Sequence, residues 1–324
     1  MKIAVTGASG HVGNNLCRML IDQGHQVKAL IYQDTDGLTG LQMEQVNGDI
    51  TSESDLANLC SGCEVVFHLA AYISIRTNDP VCKKINVDSC MNLIKAAKST
   101  GIKKIIHFSS IHAVQQEPLA AELNETRELS LSSTVSYDNS KALSHKIMIE
   151  ASSEDLEIIV LNPTAIIGPN DFKPSLLGNA LIRFYNGKNP VLIPGGYNWV
   201  DVRDVCAAAI SAIKHGIAGE SYLIGGSWQS LRTLVHEIEK LGGQKAPRLE
   251  LPIWLALLGT PFFNLQSIFS KKPPLYTSVS LLTLNNSHKN ISCQKAKSQL
   301  GFNPRPFSET LSDTIAWFRE YNYI

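Results

Sequence analysis

A chain of 324 residues with 44% apolar and 18% charged side chains is long enough to bury a large core, and it is neither a disordered nor a fibrous sequence. Twenty-nine basic residues balance twenty-nine acidic ones, so no global field draws nucleic acid or an anionic membrane, and a small-molecule partner is expected.

Apolar, β-branched runs predict strands at Lys2–Thr6, Gln26–Ile31, Val65–His68, Ile105–Ser109 and Glu157–Leu161. Amphipathic stretches between them predict helices at His11–Gln23, Ser52–Leu59, Pro80–Ser99 and Ser136–Ser152. Near-continuous apolar strands alternating with helices indicate a parallel sheet covered on both faces. The right-handed crossover rule makes this an α/β doubly wound Rossmann sheet. After Pro163 the rhythm breaks into turns at Ile166–Asp171 and Pro190–Gly196. Asp204 is expected to cap a helix running to about His215, Tyr222–Ile224 reads as a late strand, and helices follow at Ser230–Leu241 and Ser308–Glu320. The expected division is a coenzyme-binding core over 1–165, with returns at about 197–228, and a smaller substrate-binding C-terminal lobe over 166–324.

The longest apolar region, Ile253–Phe269, is interrupted by Pro261, Asn264, Gln266 and Ser267, which suits a lid or interface better than a membrane span. The first strand begins at once, without a secretory leader, and seven cysteines in a chain of this length read as reduced thiols, so a cytoplasmic protein is expected. Cys60 and Cys63 have the spacing of a redox or zinc pair. They fall at a helix end just before a strand, with no second pair, and no metal site is expected.

Chemistry enters with Gly7-Ala8-Ser9-Gly10-His11-Val12-Gly13, set between the first strand and the first helix. Gly7 permits a sharp turn, Gly10 a close approach of backbone to a pyrophosphate, and Gly13 tight packing of helix on sheet. The ribose end, Ile31-Tyr32-Gln33-Asp34, offers neither a clean acid for NAD nor a clean base for NADP, with Lys28 early and Asp34 late. Asp49-Ile50 is placed to meet an adenine, or simply to cap the next helix.

Downstream, Ser110 follows the fourth strand at the carboxyl edge of the sheet, where such folds bind ligands. Tyr137 and Lys141 are one helical turn apart on one face. An ammonium beside a phenol favours phenolate, so Lys141 is expected to lower the Tyr137 pKa from its usual value near 10 and fit it for acid–base work. His112, close to Ser110, is a candidate substrate contact or a structural residue.

Taken together, Thr6–Gly13, Gly48-Asp49-Ile50, His68-Leu69-Ala70-Ala71, Asn86-Val87, Phe108-Ser109-Ser110, Tyr137–Lys141, Asn162-Pro163 and Val200–Asp204 resemble the extended short-chain dehydrogenase/reductase superfamily, also called the NAD(P)-dependent epimerase/dehydratase family. Asn170–Ser175 and Lys295–Arg305 look like dihydroflavonol 4-reductase-like and 3β-hydroxysteroid dehydrogenase-like members, and like hopanoid-associated sugar epimerases. The resemblance implies hydride transfer at a nicotinamide, with Tyr137 as acid/base, Lys141 on the nicotinamide ribose and Ser110 positioning the substrate oxygen. It implies NAD or NADP held by Gly7, Gly10, His11, Val12, Gly13, Tyr32, Asp49, Ile50, Leu69, Ala70, Ala71, Tyr137, Lys141 and Pro163. Asn86 is implied to be structural, and a homodimer through Pro80–Ser99 and Ser136–Ser152 is implied. The expected activity is that of a reductase or dehydrogenase acting on a ketone or secondary alcohol of a small, partly apolar molecule. The alternatives are a nucleotide-sugar epimerase or dehydratase, for which Arg183, Lys188, Arg203 and Arg232 are candidate diphosphate ligands, and a non-catalytic dinucleotide sensor.

Overall fold

Short apolar strands flanked by helices can satisfy their backbone only by pairing side by side under helical cover. The computed structural model, which describes residues 1–74, 77–189, 191–247, 249–258 and 278–324, does this with seven parallel strands. They are β1 (Lys2–Thr6), β2 (Gln26–Ile31), β3 (Glu44–Asn47), β4 (Val65–His68), β5 (Lys104–Phe108), β6 (Glu157–Pro163) and β9 (Ser221–Ile224), in the order β3-β2-β1-β4-β5-β6-β9. The order reverses between β1 and β4, which opens a crevice at their carboxyl ends. One face buries Ile3, Val5, Phe67, Ile106, Leu161 and Tyr222, and the other buries Ala4, Val66, Ile105, Ile158 and Val160, as two-residue alternation requires.

Helices α1 (His11–Asp22) and α7 (Val202–His215) pack on the first face. Helices α2 (Glu53–Cys60), α4 (Ser89–Thr100) and α5 (Ser136–Ala151) cover the second. The expected helix over Pro80–Ser99 is three pieces: α3 (Pro80–Lys83), a π-helical turn (Lys84–Asp88) and α4. Cys60 ends α2 and Cys63 precedes β4; both are buried, unpaired thiols, as a helix end and strand start should leave them.

A second sheet, of β7 (Ala165–Ile167), β8 (Gly196–Asp201) and β10 (Ser227–Ser230), runs in the order β10-β8-β7. It joins α6 (Leu176–Tyr185), α8 (Leu231–Lys240), α9 (Ser278–Asn285) and α11 (Phe307–Glu320) around a third core of Leu181, Trp199, Leu234, Leu311 and Phe318. Helix α10 (Gln294–Leu300) lies against α7 and β9. One capping expectation is overturned. Asp201, not Asp204, caps α7 by accepting from the Arg203 amide at 2.8 Å; Asp204 lies in the first turn, and its carboxylate is taken by Arg305. The lid expected over Ile253–Phe269 lies largely outside the described residues. Among those described, no helix is long and apolar enough to cross a membrane.

Candidate active site

The glycine loop closes against the start of the crevice. Gly7 has a φ of +73°, and a Cβ there would stand 2.7 Å from the Ala70 nitrogen; one at Gly13 would stand 2.1 Å from the Gly7 carbonyl oxygen. No side chain larger than hydrogen fits either position without moving backbone. Gly10 occupies the N-cap of α1 in extended conformation, with no side-chain cap and no acidic residue in the first turn. The free amides and positive end of α1 are thereby left to an anion, as a dinucleotide pyrophosphate requires. Thr6 Oγ1 accepts from the amides of Leu69 and Ala70 at 3.2 and 3.3 Å, which locks the turn after β4 to the glycine loop. The His11 ring bonds the Pro169 carbonyl oxygen at 3.0 Å, half-buried Val12 packs on the first core, exposed Ala71 continues from Ala70, and Pro163 ends β6 in the buried ladder. These residues share one sheet edge.

At the ribose end the candidates separate. Lys28 is buried with Nζ 2.6 Å from the Asn58 carbonyl oxygen, so it faces α2 rather than the crevice. Asp34 accepts from the Asp36 amide and pairs with Lys173 at 2.9 Å, and Tyr32 is exposed. The helix-capping alternative for Asp49 does not hold: its carboxylate takes the Thr51 amide and hydroxyl, while Ser52 caps α2 through the Asp55 amide. Half-buried Ile50 packs on the second core.

At the far end of the crevice, Ser110, Tyr137 and Lys141 come together. Ser110 is buried just past the end of β5, on the side of the Tyr137 phenol, where its hydroxyl favours the phenolate. Tyr137 is half-buried in the first turn of α5. Lys141, one turn on, is buried and donates from Nζ to the Phe108 carbonyl oxygen at 2.8 Å. The expected lowering of the Tyr137 pKa is not what this geometry gives. Burial pushes the phenol up to about 12 against the opposing effect of the Ser110 hydroxyl, and burial pushes Lys141 down to about 8. Enclosure disfavours both charged forms, and the ammonium is directed at Phe108 rather than at the phenol.

Below Lys141 lies a polar layer that sequence spacing could not show. His68, Cys90 and His107 bring their ligand atoms within 4.8 Å of one another; His68 bonds Thr6 at 2.9 Å, and its ring stacks on His107. Burial holds His68 at about 3, His145 at about 4 and His107 well below the ordinary range, so all three are neutral. The Lys141 charge acts on His68, His107 and Cys90, which disfavours a cation among them. Asn86 accepts from the Tyr72 amide and donates to the Tyr72 carbonyl and the Ser140 hydroxyl, a structural clamp. Three of the cationic candidates for a diphosphate are engaged elsewhere: Arg203 with Asp201 and Asp313, Arg232 with Glu250, and Arg183 with Asn189.

The model of the NAD dependent epimerase/dehydratase family matches residues 3–225. The chain is 33% identical to sterol demethylase protein B of Methylococcus capsulatus, over 100% of both chains. It is 29% identical to a candidate dihydroflavonol 4-reductase of Synechocystis sp., over 99% of this chain and 95% of that one. Among solved structures, gox2253 superposes with a TM-score of 0.85 at 29% identity, covering 100% of this chain and 99% of that one.

Proposed function

Since the chain belongs to the NAD dependent epimerase/dehydratase family, we propose that it is an NAD(P)-dependent oxidoreductase that moves a hydride to or from a ketone or secondary alcohol of a small, partly apolar molecule. The observation that carries this reading is the convergence of Ser110 and Tyr137 at the carboxyl edge that also holds the uncapped N-terminus of α1. The similarity to a sterol demethylase component and a candidate dihydroflavonol reductase supports an apolar ring system as substrate. With Arg203, Arg232 and Arg183 occupied by protein partners, a nucleotide-sugar diphosphate has less to bind, which favours the reductase over the epimerase.

In this reading bound NAD(P) supplies the hydride donor or acceptor. Gly7, Gly10, Gly13, Leu69 and Ala70 shape its cradle at the sheet edge, and Pro163 walls the nicotinamide end. Ser110 and Tyr137 hold the substrate oxygen, and Tyr137 gives it a proton on reduction or takes one on oxidation. Lys141, whose ammonium is held by the Phe108 carbonyl, would bond the nicotinamide ribose. Burial of Tyr137 keeps the phenol protonated at neutral pH, the form a carbonyl reductase needs.

We also infer a homodimer through Pro80–Ser99 and Ser136–Ser152, where Val81 on α3 and Met91 on α4 are exposed apolar side chains. All seven cysteines are unpaired, which supports a reducing, cytoplasmic setting. The test is thermal shift with NAD, NADH, NADP and NADPH, followed by nicotinamide absorbance with androstan-3-one, a dihydroflavonol and a 3-oxoalkanoate ester. Stabilisation by one coenzyme pair and oxidation of its reduced form by a panel ketone are expected; no absorbance change with any ketone sinks the proposal. Sedimentation at micromolar concentration decides the dimer.

A further inference from the structure

Hydride transfer leaves one feature of the site unused. Ser110 caps the short turn Ile111–Ala113, its hydroxyl accepting from the His112 amide at 3.2 Å. That bond fixes His112 just beyond Ser110, and its ring stands edge-on to the Tyr137 ring with centroids 5.9 Å apart. His112 Nδ1 lies 3.3 Å from Asp138 Oδ1. Asp138 follows Tyr137 in the first turn of α5, so one turn of helix places both the phenol and the carboxylate. The two side chains keep 34% and 25% of their surface exposed, whereas His68, His107 and His145 are buried. His112 is thus a histidine at the mouth of the site with its Nδ1 held by a carboxylate. This leaves Nε2, which has no protein partner among the described residues, as the nitrogen that can take or give a proton.

We propose that the His112–Asp138 pair gives this site a second activity, proton exchange at the carbon next to the carbonyl that Ser110 and Tyr137 hold. The inference rests on that carbonyl-binding reading. Two hydroxyls on one carbonyl oxygen acidify the neighbouring C–H. Nε2 of His112 takes that proton; the C–H electron pair becomes the C=C bond of an enolate, and the carbonyl π pair moves onto the oxygen bonded by Tyr137 and Ser110. Reversal returns a proton from the imidazolium to carbon. Nothing is oxidised or reduced, so the exchange needs no hydride. Asp138 is a positioning residue that fixes the Nδ1–H tautomer and stabilises the imidazolium. The substrates are ketones with an enolisable hydrogen beside the carbonyl.

The experiment uses the full chain with the oxidised coenzyme, which cannot donate hydride, and androstan-3-one in deuterated buffer at neutral pH. Deuterium at the carbons flanking the ketone is read by NMR, and reduction of the same ketone is measured separately with the reduced coenzyme. Exchange about 100-fold above buffer is expected. His112→Gln should lower exchange about 100-fold and reduction less than about 10-fold, and Asp138→Asn should lower exchange about 10-fold. Reduction without exchange above buffer overturns the inference, as does exchange undiminished in His112→Gln, or exchange and reduction falling in parallel. Failure of every panel ketone to be reduced strikes the carbonyl-binding premise instead.

Discussion

Tyr137 stands between two opposed effects: enclosure raises its pKa to about 12, while the Ser110 hydroxyl favours the phenolate. If its proton is the one delivered to substrate, Tyr137→Phe lowers kcat by about 100-fold or more with coenzyme affinity kept, and Ser110→Ala costs less; an active Tyr137→Phe enzyme would remove the phenol from the mechanism. Lys141 is protonated at pH 7 in both the folded and the unfolded chain, so its lowered pKa measures a burial cost of about 3 kcal/mol. Lys141→Met should therefore abolish turnover yet raise unfolding stability by about 1–2 kcal/mol, after about 1 kcal/mol is lost at the orphaned Phe108 carbonyl. Urea denaturation checks it, and a destabilised variant refutes it. The buried histidines give a pH dependence of definite sign. Their folded pKa values lie below the ordinary 6.5, so the unfolded chain binds more protons between pH 6.5 and about 3. Stability is full above pH 6.5 and falls by several kcal/mol on acidification toward pH 4; equal stability at pH 5 and 7.5 would contradict it. The placement of Ser110, Tyr137 and Lys141 was legible because order along a doubly wound sheet fixes position at its carboxyl edge. The direction of the Tyr137 shift was not, because it depends on how the fold encloses the phenol and brings Cys82 near it. Nor was Asp138 readable as the partner of His112, since their contact crosses two elements.

At the scale of elements, the strands that announced themselves are those buried on both faces, whose apolar runs leave little alternative. Glu44–Asn47 is absent from the expected strands because β3 is an edge strand with three polar residues of four, held by backbone pairing to β2. Strands β7, β8 and β10 were equally hidden: β7 is only three residues long, glycine and asparagine interrupt β8, and β10 is polar but for one tryptophan. The π-turn within Pro80–Thr100 leaves no trace in hydrophobic periodicity; its consequence is Asn86, which bridges the Tyr72 backbone to Ser140. The glycine loop was legible because its constraint is steric and local. Gly13→Val tests it: with 2.1 Å between the new Cβ and the Gly7 carbonyl, α1 must move off the loop. A loss of about 2 kcal/mol or more in stability, with disappearance of the coenzyme-induced thermal shift, is expected. A valine variant that still binds coenzyme at wild-type affinity would show that α1 does not carry the pyrophosphate.

For the molecule as a whole, the junction between the seven-stranded sheet and the three-stranded sheet is an ionic cluster. Asp201 is fully buried where β8 meets α7; burial pushes its carboxyl up, and the bonds from Arg203 more than offset this, leaving it low. Arg305, from the segment leading into α11, reaches Asp204 at 2.8 Å and Asp201 at 3.5 Å, while Arg203 extends to Asp313 on α11. Two carboxylates of α7 and its cap are thus neutralised by one arginine of their own helix and one from the C-terminal segment. We propose that this cluster, rather than apolar packing alone, sets how the third core docks on the Rossmann core. Removing one cation from such a set leaves a carboxylate buried without its counter-charge, whereas removing both members leaves little to satisfy. Arg305→Leu should therefore cost about 3 kcal/mol of unfolding free energy, and Asp204→Asn in the same background should recover a substantial part of it. Urea denaturation of the two single variants and the double variant closes the cycle. Additive losses would mean that Arg305 acts through its packing against the lobe and not through the charge it shares with Asp204.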